Sequence, residues 1–457
     1  MRRPSIRSLA GGAAGIAAGV IGGMNLTSLS AAGPAALGTH IGLEASHVPP
    51  VLTLPGESVR LRYAIVCSPR DDGEPCDGSG EVYVRAAKSG PFERFALTRG
   101  ADSREGRYFV DLPSAIAGSE RGFSYYAVLR DDSTGDTVTL PSGGPAAPQR
   151  SLRLRHAAQI DLGAHAFGQT RRPDARPVSA RWGSGLGEAG LAGSRELGFV
   201  GPSAFDVDVA GKVTLLDQVN GRVERWRGGR AAEATPLAVT GGLADFAVEP
   251  DGSLDVLEPP DRLSPVPVLR SFRADGSRKW AQELADRTWA KLGVGPAGPV
   301  VLQQPSEQWR PVADHGRALG RAAQAARGST GKPLVNGREV VVERRGVAEV
   351  RIAEVAGDAV IRSWSIAGST PLGEVQLAEP LGNRVVVVAK TYTDDRSEDV
   401  VLVLDETGIV QRFTVEPHEW AESAPLARFR LAGASLYRLG SAPSGAFVDR
   451  FDLEVRP

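Results

Sequence analysis

The sequence predicts an all-β protein of at least two units, and three observations carry that expectation. Gly and Pro supply 55 and 32 of the 457 residues, a density that interrupts helices and suits short strands joined by turns. Over the first third of the chain apolar and polar residues alternate with a period of two, as half-buried strands require. From residue 182 onward, short apolar runs recur between Gly and Pro turns, the mark of a repeated architecture.

Composition narrows the function classes. With 53 Lys and Arg against 54 Asp and Glu, the formal charge is −1, which argues against a nucleic-acid partner held by a basic surface. A hydrophobic fraction of 42% is enough for packed cores and too little for a multi-span membrane protein.

The amino terminus reads as a secretory signal over residues 1–32. Arg2, Arg3 and Arg7 precede a glycine-rich apolar run from Leu9 to Met24, and Ser30-Ala31-Ala32 supplies small residues for cleavage. A retained membrane anchor is the alternative, although the run is short of the roughly 20 apolar residues that span a bilayer. Export would place Cys67 and Cys76 in an oxidising compartment, where a structural disulfide closing the turn-rich segment between them is expected. A metal pair or reactive thiol is the sharper reading, but no Cys or His cluster stands nearby.

Residues 42–155 are expected to form a β-sandwich. Ser58–Val66, Glu81–Arg85, Arg107–Leu112, Phe123–Leu129, Thr137–Leu140 and Ser151–Leu154 alternate in strand fashion between turn clusters. Seven or eight strands in such a length suit a sandwich. The Phe123–Leu129 strand resembles the aromatic late strand of immunoglobulin-like and fibronectin-like modules. The cysteine pair lies too close for the sheet-bridging disulfide of antibody domains. Residues 156–181, with Arg171-Arg172-Pro173, read as a linker, with Ile160-Asp161-Leu162 able to join the sheets that follow.

Residues 182–457 carry the repeats. Trp182-Gly-Ser-Gly-Leu-Gly187 leads to Gly201-Pro-Ser-Ala-Phe-Asp-Val-Asp208, then Gly211–Asp217, Asn220-Gly-Arg-Val223 and Trp226. This order resembles the NHL repeat, which builds β-propellers of four-stranded blades, commonly six. Asp245–Leu257 and Leu292–Leu302 are weaker copies, and Glu339–Val350, Val385–Phe413 and Phe429–Phe451 supply further strand groups. The 276 residues divide into six at 46 each, inside the range of propeller repeats, whereas seven blades would be tight. Arg317–Arg327 breaks the pattern with helix-forming composition and is expected as a helical insertion.

Few residues announce chemistry. Asp217, Asn220 and Arg222 fit a turn that staples strands. Gly185-Leu-Gly-Glu-Ala-Gly190 matches a dinucleotide-loop expression without the βαβ context that gives it meaning. Gly328-Ser-Thr-Gly-Lys332 is too short for a phosphate loop, and Pro333 replaces its hydroxyl residue. His40, His47, His156, His165, His315 and His418 are scattered without metal-ligand spacing, so neither a metal nor any other cofactor is expected. No G-x-S-x-G elbow is present. The candidate binding residues are Trp309 and Trp420, each set among polar neighbours, with His418 beside the second. An indole so placed can stack on a sugar or anchor a protein, or it can seal a blade edge.

The expectation is therefore an exported, non-catalytic binding protein at the cell surface or envelope, with a protein or carbohydrate ligand. It would have no nucleic-acid partner and no membrane span after signal cleavage. The alternative is a metal-dependent propeller hydrolase or lactonase, which needs carboxylates and amides converging at one mouth of the central channel.

Overall fold

The computed structural model describes residues 43–47, 49, 51–66, 77–100, 107–194, 196, 198–260, 264–284, 289–303, 308–357, 359–423 and 427–453. The expected signal segment, Cys67 and Cys76 lie outside them. Among the described residues strands dominate, and no helix is long and apolar enough to cross a membrane.

Two antiparallel sheets face each other in the amino-terminal unit. One is built from Glu44–His47, Arg60–Val66, Arg107–Asp111 and Thr98–Arg99, and the other from Gln149–Arg150, Phe123–Asp131, Gly78–Ala86 and Glu93–Ala96, with Thr137–Leu140 on the edge of Phe123–Asp131. Alternation along the strands sends Leu61, Tyr63, Ile65, Val82, Val84, Phe123, Tyr125, Ala127 and Leu129 into one shared core. His47 belongs to that core. It stacks on Tyr63 at 4.3 Å, its Nε2 meets the Tyr125 hydroxyl at 2.9 Å, and burial pulls its pKa down to about 4.

Among the described residues six sheets follow around a ring, and the ring is a β-propeller. Sheet 1 contains Ala204–Val207, Val213–Asp217, Arg222–Arg227 and Arg230–Pro236; sheet 2 contains Asp245–Val248, Leu254–Glu258, Val268–Phe272 and Arg278–Glu283. Sheet 3 has three strands, Trp289–Gly295, Gly298–Gln303 and Gln308–Pro311. Sheet 4 has Lys332–Pro333, Arg338–Gly346, Glu349–Ala356 and Ala359–Ala367, and sheet 5 has Leu372–Leu381, Arg384–Tyr392, Ser397–Asp405 and Gly408–Val415. Sheet 6 combines Phe429–Ala432, Ser435–Ala442 and Gly445–Asp452 with Ala175–Trp182. The first strand of each sheet lies innermost. Neighbouring sheets meet through these inner strands, except that sheet 4 touches the inner strand of sheet 5 with Arg338–Gly346 and Glu349–Ala356, and Phe429–Ala432 returns to Ala204–Val207 to close the circle. Apolar side chains seal the boundaries, as where Leu216 and Val223 of sheet 1 meet Phe246 and Val256 of sheet 2.

Residues 156–181 are not the linker the sequence suggested. Ala158–Asp161 adds in parallel to the outer strand of sheet 4, Thr170 bridges Thr414 on the outer strand of sheet 5, and Ala175–Trp182 becomes the outer strand of sheet 6. The segment is a belt around the rim of three consecutive sheets. Its Ile160 and Leu162 are buried between sheets 4 and 5, and their exposure in a free linker would forfeit that burial. The expected helical insertion shrinks to Arg321–Ala326, because Arg317–Ala318 pairs with Ala313–Asp314 instead.

The amino-terminal unit sits against the ring. Leu152–Arg153 pairs in parallel with Leu52–Thr53, and Val51, Leu52, Leu152 and Leu154 pack on Val341, Ala353 and Val355 of sheet 4. Leu52 N donates to Glu343 at 3.2 Å, and Arg351 bonds the Leu52 carbonyl at 2.7 Å and Glu57 at 2.8 Å. Burial raises the Glu343 pKa to about 7, against the pull of Arg345 and Arg351.

Candidate functional site

The inner strands carry charged side chains at the middle of the ring. Asp206, Asp245, Lys291, Lys332, Glu374, Glu379 and Arg430 stand on them, so every sheet contributes at least one. Most of these groups cross-link the ring. Asp206 accepts from Val248 N of sheet 2 and Asp245 from Leu292 N of sheet 3, each at 2.7 Å. Lys291 donates to the Gln376 carbonyl at 2.9 Å, Lys332 to Glu379 at 2.6 Å, and Arg430 to the Phe246 carbonyl at 2.9 Å. Each bond joins two sheets, so the charges fasten the wall as apolar contacts do behind it.

Electrostatics differ along the channel. Burial works to raise the Glu379 pKa, yet Lys332, Arg430 and Lys291 outweigh it and hold the carboxyl below its ordinary value. Burial raises the Glu374 pKa, with Lys291, Arg428, Lys390 and Arg344 opposing. Burial lowers the Lys291 pKa. Gln376 holds Asp399 at 2.7 Å, and burial raises that carboxyl to about 6. Among the described residues no three His, Cys, Asp or Glu side chains are grouped to hold a metal ion.

A second feature stands where sheet 6 meets sheet 1. Trp182 ends the outer strand of sheet 6, Phe199 lies on the strand Gly198–Val200 that leads toward sheet 1, and Trp420 lies between sheets 5 and 6. Phe199 and Trp420 stack with centroids 4.7 Å apart, and Trp182 lies 5.8 Å from Trp420 at a tilt of 33°. Local structure explains the meeting. Glu422 N bonds the Phe199 carbonyl at 2.6 Å and Gly201 N bonds the Glu422 carbonyl at 3.2 Å, pinning the two loops together. Gly201 leaves room for the indole, since a Cβ there would lie 3.0 Å from Trp182. The Trp182 Nε1–H donates to the Ala442 carbonyl at 3.1 Å. Trp420 remains 37% exposed.

The other named residues divide. His418 is exposed near this cluster, its ring edge-on to Phe447 at 5.7 Å; partial burial, then Arg438, lower its pKa. Trp309 is elsewhere and is buried at 7%, so the expectation of an exposed anchor fails there. Its ring packs against Gly293 of the inner strand of sheet 3, and its backbone bridges Ser329. Asp217, Asn220 and Arg222 staple the seam between sheets 6 and 1. Asp217 accepts from Gly190 N at 2.9 Å, Asn220 donates to the Gly183 carbonyl at 2.9 Å, and Arg222 reaches the carbonyls of Ser184, Gly185 and Glu188. Residues 185–190 are therefore part of a stapled turn.

Sequence reasoning missed Phe199, Trp182 and the channel charges. One signal was present: the chain holds only six lysines among 53 basic residues, and Lys291 and Lys332 both stand on inner strands.

No protein-family model and no curated protein matches the chain. Among solved structures it is similar to virginiamycin B lyase from Staphylococcus aureus, at 10% identity and a TM-score of 0.32, over 55% of this chain and 94% of that one. It is also similar to a putative TolB from Agrobacterium tumefaciens, at 14% identity and a TM-score of 0.31, over 55% and 90%. AztD from Citrobacter koseri shares 16% identity at a TM-score of 0.26, over 83% and 96%. The propeller is read from the closed ring of sheets, and no activity is carried over from these structures.

Proposed function

We propose that the chain is an exported binding protein in which an immunoglobulin-like module presents a six-bladed, NHL-like propeller at the cell surface, for a protein or carbohydrate ligand. The observation that carries the reading is the exposed Trp420, on a loop at the seam of the ring and backed by Phe199 and Trp182 on neighbouring strands. Exposed aromatic rings held rigid are efficient binding groups, since little side-chain entropy is lost on contact. The channel charges support the same reading, because most of them are engaged in bonds within the wall. The test is sedimentation of the full chain with a cell-envelope fraction of its source organism. Wild type is expected to sediment and Trp420→Ala to remain in solution; equal sedimentation of both removes this reading.

One observation favours a hydrolase as the second reading. Glu374, with its pKa raised, stands on the inner strand of sheet 5 and interacts electrostatically with Lys291, whose pKa is lowered, and neighbouring shifts of opposite sense are what acid–base chemistry uses. Ester or lactone hydrolysis that disappears in Glu374→Gln would put this reading first.

A further inference from the structure

We propose that Glu249 and Asp255 share one proton between them and act as a latch in the seam of sheets 2 and 3, tight in acid and loosened as the pH rises. Backbone register brings the two together. Ala247 stands opposite Asp255, and Glu249 N bonds the Ser253 carbonyl at 2.9 Å, so Glu249 and Asp255 are diagonal neighbours on one face of sheet 2, within reach of each other. Ser271 lies opposite Asp255 on the other side. That face is turned toward sheet 3. Ala247, Leu257 and Leu269 pack on Leu292, Val301 and Val312, and a Cβ at Gly298 would lie 3.7 Å from Glu249 Oε2. Asp255 is wholly buried, so the pair meets the neighbouring sheet rather than a substrate.

The unpartnered atoms of the pair call for that proton. Neither oxygen of the Asp255 carboxyl, nor Glu249 Oε1, nor Ser271 Oγ has a hydrogen-bond partner among the described residues. Buried polar groups are almost always bonded. Two carboxylates facing each other out of water resist ionising together, whereas one proton between them makes an acid donor and a carboxylate acceptor. The charged neighbours leave the proton in place. Lys279, the extra residue where the outer strands of sheet 2 shift register, turns its ammonium to Ser253 Oγ at 2.9 Å and to Asp251 at 3.7 Å. From sheet 3 the facing side chains are apolar, and on its hairpin Asp314 is paired with Arg327 at 3.0 Å, beside His315 and the exposed Arg317. Burial and then the Glu249 carboxylate push the Asp255 pKa well up, with the nearby Ser271 and Lys279 opposing. A carboxyl held above its unfolded value stabilises the fold at low pH and loses that contribution as pH climbs to its folded value.

The test records the infrared carbonyl band of protonated carboxylic acids in the full chain between about pH 5 and about pH 8, with urea unfolding over the same range. At about pH 6 wild type is expected to keep one more protonated carboxyl than Asp255→Asn, and its unfolding midpoint to fall more steeply with pH than that of the variant. Glu343 and Asp399, whose pKa values are also raised, are common to both proteins and cancel in the comparison. Glu249→Gln keeps the side-chain length and supplies an amide donor. Asp255 should then lose its proton about one pH unit lower or more, a result that stands even if Asp255→Asn misfolds. An acid band that titrates identically in wild type and in either variant overturns the proposal. So does a wild-type midpoint at about pH 7 that rises on addition of calcium chloride and does not in Asp255→Asn, since the pair would then hold a cation in place of the proton.

Discussion

His165 Nε2 lies 2.8 Å from the Glu398 carboxylate, joining the rim belt to the third strand of sheet 5, with the two side chains only 6% and 10% exposed. The other carboxylate oxygen accepts from Gly168 N at 2.7 Å, and the imidazole packs edge-on to Phe167. A single side chain therefore holds the belt at two points.

Glu398→Ala should release both. Removing one partner from a buried pair leaves the other group desolvated and unmatched, so a loss of about 3 kcal/mol is expected. Urea unfolding measures it, and faster amide exchange at Gly168 and Leu162 should localise the effect to the belt.

Glu343 gives the seam between the amino-terminal unit and sheet 4 a pH dependence. Its pKa rises from 4.5 to about 7 on folding, so between those values the folded state binds more protons than the unfolded one. Stability contributed by this group is full below pH 4.5 and declines as pH rises toward 7. The decline amounts to at most roughly 3 kcal/mol. Asp399, raised to about 6, acts in the same direction, so the comparison that isolates Glu343 is Glu343→Gln. The variant should show a shallower fall in melting temperature from pH 4.5 to 7.

The two tryptophans singled out by sequence should behave oppositely. Trp309→Ala empties a buried site and is expected to cost about 3–5 kcal/mol. Trp420→Ala removes a ring that is already 37% exposed and should cost about 1 kcal/mol from lost stacking. Chemical denaturation of the two variants checks the order.

Gly201→Ala tests how the aromatic cluster is positioned. The added methyl would lie 3.0 Å from the Trp182 ring and 3.3 Å from Ala421, so the indole must shift. A cost of about 1–2 kcal/mol and a changed near-ultraviolet circular dichroism spectrum are expected.

Strand character was legible because it is written locally. The alternation in Phe123–Asp131 and the Phe-x-Val spacing shared by Phe205 and Phe246 depend on neighbours along the chain, and those strands form where expected. The belt was not legible, because Ile160 and Leu162 are buried by residues some 200 positions away in sheets 4 and 5. Trp309 and Trp420 illustrate the same limit. Both sit among Gln, Glu and Pro in sequence, and only the packing of the first against Gly293, two strands away in the same sheet, places it inside. The channel charges come one or two per sheet, so no single segment contains enough of them to signal a site.

The belt also determines how mechanical load would travel through the molecule. A pull on the amino-terminal unit reaches the ring first through the Leu52–Arg351 and Leu52–Glu343 bonds and then through Ala158–Asp161, which lies along the edge of sheet 4. The same chain goes on to the rims of sheets 5 and 6, where Ala175–Trp182 is zipped to Gly445–Asp452. Tension is thus spread over three sheets in series, each gripping the chain by backbone hydrogen bonds before the next is loaded. The last of these grips is Gly445–Asp452, which pairs antiparallel with Ala175–Trp182.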